Sequence, residues 1–181
     1  GGLSVLRHVR ALLPAEQLLY FADSGFSPYG EKSETVIVER VLAIAAFLLG
    51  FKVKAIVVAC NTATAYALTD IRSHVKQMGA STPVIGVIDA GSKAALIHQQ
   101  KHPGTIGVFA TAGTVASDGY PRTLRNMAAS YGLKDLSIIS QGGFGLAESI
   151  DRDWSFYVDT ATQIRSDYKG PSLQHKNYPI R

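Results

Sequence analysis

Cys60 closes a short apolar run, Ala55-Ile56-Val57-Val58-Ala59, and is followed at once by Asn61-Thr62-Ala63-Thr64. A thiol at a strand-to-helix junction faces backbone N–H groups and the positive end of the helix dipole, which favour the thiolate. In a plain setting such a residue would be a small buried hydrophobe. The amide and the two hydroxyls beside it suit a reactive group instead. Two more loops carry donors of the same kind: Asp23-Ser24 with Pro28-Tyr29-Gly30, and Thr111 with Thr114. Each Ser or Thr taken alone is a helix cap; together they could hold the carboxylate and ammonium of an amino acid.

Other cysteine and phosphate chemistries fail on spacing. A tyrosine-phosphatase-like loop needs an arginine six residues beyond the cysteine, and that position is Tyr66. A papain-like pair needs a histidine near the thiol, but His74, His98 and His102 fall in no strand-end loop. Gly142-Gly143-Phe144-Gly145 matches neither a P-loop nor a dinucleotide fingerprint. A single cysteine excludes an intramolecular disulfide framework and a multi-cysteine zinc or iron–sulfur site.

The elements that must position these loops alternate. Leu3, Leu6, Val9, Leu12 and Leu13 recur at helical spacing, and Leu18–Ala22 reads as a short buried strand. Ser33 can cap a helix that stops at Gly50. Lys54–Ala59 reads as a central strand, Asn61 to about Gln77 as helix, and Thr82–Ile88 as strand. A helix over Ser92–Gln100, a strand over Thr105–Ala110, a helix over Ala116–Ser130 and a strand over Leu136–Ile139 follow. Repeated βα units with short connections predict an α/β fold. It has two similar small units, each a mainly parallel sheet flanked by helices in the flavodoxin-like manner. They divide into residues 1–86 and 87–181. Ligands in such sheets sit at the carboxyl ends of the strands, where all three loops fall.

Composition sets the outer bounds. The 181 residues are 46% hydrophobic and 18% charged, enough for a packed core. The formal charge of +4 is scattered among acids rather than clustered, so no nucleic-acid partner is expected. The longest apolar run, Val41–Phe51, falls well short of the roughly 20 residues of a membrane span. With no secretory signal visible, a cytoplasmic protein is expected.

The motifs, taken together, resemble the aspartate/glutamate racemase family, on its glutamate racemase pattern. Phe21-Ala22-Asp23-Ser24 and Pro28-Tyr29-Gly30-Glu31-Lys32-Ser33 are similar to its Asp-Ser and Pro-Tyr-Gly loop. Val57–Ala65 resembles the first catalytic-cysteine motif, Pro83–Ile88 the hinge strand, and Ile106–Val115 the threonine loop. The likeness covers about residues 1–130, and it implies an active site in the cleft between the two units. It implies cofactor-independent interconversion of L- and D-glutamate, supplying D-glutamate for bacterial peptidoglycan, with Cys60 as one base. It also implies that Asp23, Ser24, Pro28, Tyr29, Gly30, Asn61, Thr62, Thr111 and Thr114 lie at substrate-contact or loop positions. The partner implied is glutamate, with a homodimer left open.

Three departures qualify the resemblance. The family's opening aspartate would lie before Gly1. Its second cysteine motif, Cys-Thr-His-Tyr-Pro-Leu, falls on His175-Lys176-Asn177-Tyr178-Pro179-Ile180, so that His175 stands in the place of the second thiol and Asn177 in that of its partner histidine. The family also continues well past the position of Arg181. An imidazole can serve as a general acid near neutral pH, which makes His175 the candidate second base; the alternative is a surface histidine. Two functions follow, an amino-acid racemase or a catalytically impaired racemase-like module that binds an amino acid or a protein.

Overall fold

The computed structural model describes residues 2–30, 32–143, 145 and 147. The elements run α1 (Gly2–Leu12), α2 (Glu34–Leu49), β1 (Ile56–Val58), α3 (Asn61–Gln77), β2 (Val84–Gly86) and α4 (Val87–Lys101). They continue with β3 (Thr105–Ala110), α5 (Ala112–Ala116), α6 (Gly119–Ala128), a 3-10 turn over Ala129–Tyr131, and β4 (Ser137–Gly142). The fold is α/β, as the alternating pattern predicts. Two parallel ladders are formed, β1 with β2 and β3 with β4.

The core follows from helical periodicity. Ile37, Val41 and Ala45 recur at four-residue steps on α2 and are buried. They pack with Ala63, Ala67, Leu68, Ile71 and Val75 of α3, and with Ile56 and Val84 of the first ladder. The second ladder registers Thr105 with Ser137 through to Ala110 with Gly142. Helices α4 and α6 bury Ile88, Leu96, Leu124 and Ala128. No helix among the described residues is long and apolar enough to cross a membrane.

Helix Asn61–Gln77 and strand Thr105–Ala110 coincide with their expected spans. Three expectations need correction. Leu18–Ala22 forms no strand, because it has no ladder partner among the described residues, and Leu19 and Tyr20 are exposed. The Thr82–Ile88 run is strand only over Val84–Gly86. Gly86 there becomes the N-cap of α4, which begins well before Ser92 and overrides the β preference of Val87 and Ile88. The Ala116–Ser130 helix is interrupted after Ala116. Asp118 turns left-handed at φ 53°, and Ser117 Oγ donates to Thr114 O at 2.7 Å while accepting from the Gly119 N–H at 3.2 Å. A serine bonding its local backbone competes with helix continuation in this way.

Candidate active site

Helix α3 starts directly after β1, so its first residues lie at the carboxyl end of that strand. Cys60 is the N-cap, extended at φ −111° and ψ 128°, and its Sγ accepts from the Ala63 N–H at 3.5 Å. The thiol is exposed. Thr64 Oγ1 donates to Val58 O at 3.1 Å, tying the helix back to the strand it follows. Asn61 is held from the far side, where Tyr120 Oη on α6 donates to its Oδ1 at 2.8 Å. Burial pushes the Tyr120 phenol up, so it stays a donor.

Thr111 caps α5 after β3 in the same manner, its Oγ1 accepting from the Thr114 N–H at 3.3 Å. Thr62, Thr111 and Thr114 close a ring of hydroxyls. Oγ1 atoms of Thr62 and Thr114 are 3.0 Å apart, those of Thr111 and Thr114 3.0 Å, and those of Thr62 and Thr111 3.3 Å. Each hydroxyl owns one proton and two acceptor lone pairs. Three contacts therefore use all three protons and leave acceptors over. A ligand ammonium can donate to the ring as it stands; a carboxylate takes a proton once one contact opens.

The Pro-Tyr-Gly loop leans against the threonine loop. Gly113 N–H donates to Gly30 O at 3.2 Å, and Tyr66 Oη donates to Gly113 O at 2.9 Å. A Cβ on Gly113 would lie 2.5 Å from Gly30 O, a backbone atom that cannot swing aside. Gly113→Ala is therefore expected to lower stability by about 1–3 kcal/mol through overpacking, seen as a lower urea midpoint. Unchanged stability would mean that the two loops are not packed together.

Asp23 anchors the start of that loop. Arg40 of α2 donates Nε to Oδ2 at 2.9 Å and Nη2 to Oδ1 at 2.6 Å, and Tyr29 Oη donates to Oδ2 at 2.5 Å. The Arg40 guanidinium holds the Asp23 carboxyl below its ordinary value. Burial first, then the Asp23 carboxylate, pushes the Tyr29 phenol well up. The sign for stability follows. A carboxyl whose folded value is depressed adds stability fully present above its unfolded value, near 3.9, and lost as pH falls through the lower folded one. Asp23→Asn is expected to flatten the acid side of the stability–pH curve between those limits. An unaltered acid limb would place the responsible carboxyl elsewhere.

Asp23, Ser24, Tyr29, Cys60, Asn61, Thr62, Thr111 and Thr114 line one cavity of about 1470 Å³. Pro28 and Gly30 do not line it. His175 lies outside the described residues. Arg40, Tyr66 and Tyr120 were not singled out from the sequence. Of these, Arg40 alone had a signal, as the one basic residue of the largely apolar α2, beside Glu39.

Residues 2–142 match the Asp/Glu/Hydantoin racemase family. A glutamate racemase of Ralstonia nicotianae is 43% identical over 152 residues, which cover 84% of this chain and 50% of that protein. One from Stutzerimonas stutzeri is 45% identical over 164 residues, covering 91% and 58%. Among solved structures, glutamate racemase from Francisella tularensis in complex with D-glutamate superimposes with a TM-score of 0.73 at 29% identity, covering 84% of this chain and 53% of that one. The isoform RacE1 from Bacillus anthracis gives 0.71 at 34% identity, covering 85% and 53%. The chain thus spans about half the length of the curated relatives it matches. On its extended cysteine motif, its threonine loop and these matches, it belongs to the Asp/Glu/hydantoin racemase family.

Proposed function

We propose that this chain carries one side of a glutamate racemase site, in which Cys60 moves the α-proton of glutamate. The observation that carries the reading is the cavity shared by the exposed Cys60 thiol, Asn61 and the Thr62–Thr111–Thr114 hydroxyl ring. The α-proton of an amino acid is weakly acidic, so the barrier is dominated by the charge that develops as it leaves. A thiolate at the positive end of α3 takes the proton. Fixed hydroxyl and amide groups meet the substrate's polar groups and stabilise the developing carbanion. Inversion needs an acid on the opposite face, where the family motif has its second cysteine and this chain aligns His175 as the candidate. Chemistry of this kind uses acid–base groups alone and asks for no cofactor. In its cellular setting it would supply D-glutamate for peptidoglycan from the cytoplasm.

The remaining residues shape the site in this reading. Tyr120 holds Asn61 Oδ1, which leaves the amide Nδ2 free to donate to substrate. Asp23 fixes Tyr29 and the Pro-Tyr-Gly loop over the cavity, and Ser24 lines it.

The test is incubation of each glutamate enantiomer with the protein in D2O, following the α-proton signal by NMR. Exchange of both enantiomers with inversion means that two acids act. Exchange of one enantiomer with retention means that Cys60 works a single face. No exchange from either, in a folded sample, overturns the reading. Calorimetric binding of glutamate without exchange would then favour a binding module.

A further inference from the structure

We propose that His98 and His102 form a two-imidazole site for a divalent transition ion, Zn2+ in the first instance, at the C-terminal end of α4. Neither residue takes part in the proposed racemase chemistry. Four residues apart in His98-Gln99-Gln100-Lys101-His102, His98 lies in the last turn of α4 and His102 is its C-cap, where the backbone has left the helix at φ −134° and ψ 77°. The structure sets the rings side by side, centroids 4.7 Å apart and planes inclined by 33°. Both residues are exposed, and neither ring has a hydrogen-bond partner among the described residues. His8 differs in this respect, since its Nδ1 is engaged with Ser4 O at 2.9 Å.

The distances suit chelation. Zinc binds imidazole nitrogen at about 2.0–2.1 Å, so two nitrogens on one tetrahedral ion lie about 3.3 Å apart. Ring nitrogens sit on the rim, and centroids 4.7 Å apart let two rims reach that separation by rotation about the side-chain bonds. The neutral ring is a borderline-soft donor that takes Zn2+, Cu2+ and Ni2+ well.

The scaffold under the pair is tied down. His102 N–H donates to His98 O at 2.9 Å, so the backbone turn is closed between them. Buried Gln99 donates to Gly104 O at 2.6 Å, and Gln100 to Tyr131 O at 2.7 Å. The carbonyl end of a helix favours a cation, against which the neighbouring Lys101 charge acts. No group of three or more His, Cys, Asp or Glu able to hold a metal occurs among the described residues. Two imidazoles leave coordination positions open to water, so the ion clamps the end of α4 rather than building a closed structural site.

Calorimetric titration of the full chain with Zn2+ tests this, using His98→Ala, His102→Ala, His8→Ala and Cys60→Ser beside the unaltered protein. Losing one of two linked donors removes the chelate advantage. Each α4 variant is expected to bind Zn2+ at least about tenfold more weakly, while His8→Ala retains the site. Cys60→Ser separates the histidine pair from the exposed thiol and is expected to keep it. Saturable uptake of one ion, lost with either α4 histidine, supports the site. No uptake up to about 1 mM Zn2+, uptake unaffected in both α4 variants, or uptake lost in Cys60→Ser overturns it.

Discussion

Replacing Cys60 by serine is expected to cut α-proton exchange from glutamate by at least about 10²–10⁴-fold, the range that a positioned acid–base group contributes. The substitution keeps the geometry that surrounds it. Cys60 is the N-cap of α3 and accepts from the Ala63 N–H. Serine is among the preferred N-cap residues and can accept the same bond. What changes is acidity: a hydroxyl holds its proton far more tightly than a thiol, so the base is lost while the cap remains. The urea midpoint should stay where it was or rise slightly. Exchange measured per folded molecule in D2O decides the matter. Undiminished exchange in Cys60→Ser would take the thiol out of the chemistry.

How much of this was legible follows from the range of each interaction. The thiol between a strand and a helix could be read directly, because strand end, cap and first turn are neighbours in sequence. Thr111 and Thr114 were legible for the same reason, being a cap and the N–H it accepts within one turn. The closing of Thr62 onto both of them was visible only as a convergence of loops on one sheet edge. Arg40 to Asp23, Tyr66 to Gly113 and Tyr120 to Asn61 span 17, 47 and 59 residues, and packing alone brings them together. Local composition misled where tertiary context decided. Leu18–Ala22 has the residues of a buried strand, but a strand exists only where a neighbour takes its hydrogen bonds. At Gly86 the chain could continue extended or cap a helix, and the β-branched residues beyond it pointed the wrong way.

The opposite signature is expected from Ile71→Ala. Ile71 is fully buried on α3, at 0% exposure, in one core cluster with Ile37, Val41 and Ala45 of α2. Truncating a buried isoleucine costs about 2–5 kcal/mol, the transfer of the lost methylenes plus the cavity left behind. How much of the cavity persists depends on whether neighbours can move in. The same cluster includes Ala45, Ala63 and Ala67, which have no side-chain torsion with which to fill a hole. The loss should therefore fall in the upper part of that range. Urea unfolding would show it as a lower midpoint at unchanged slope, since the surface exposed on unfolding hardly alters. The chemistry should be spared. Cys60 sits at the far N-terminal end of the same helix, about three turns from Ile71, and its bond to the Ala63 N–H is local. Below the unfolding midpoint, α-proton exchange per folded molecule should match the parent protein. Cys60→Ser is thus expected to lose exchange at unchanged stability, and Ile71→Ala to lose stability at unchanged exchange. Joint loss of both properties in either variant would mean that scaffold and site are one cooperative unit and not a reactive loop set on a separately packed core.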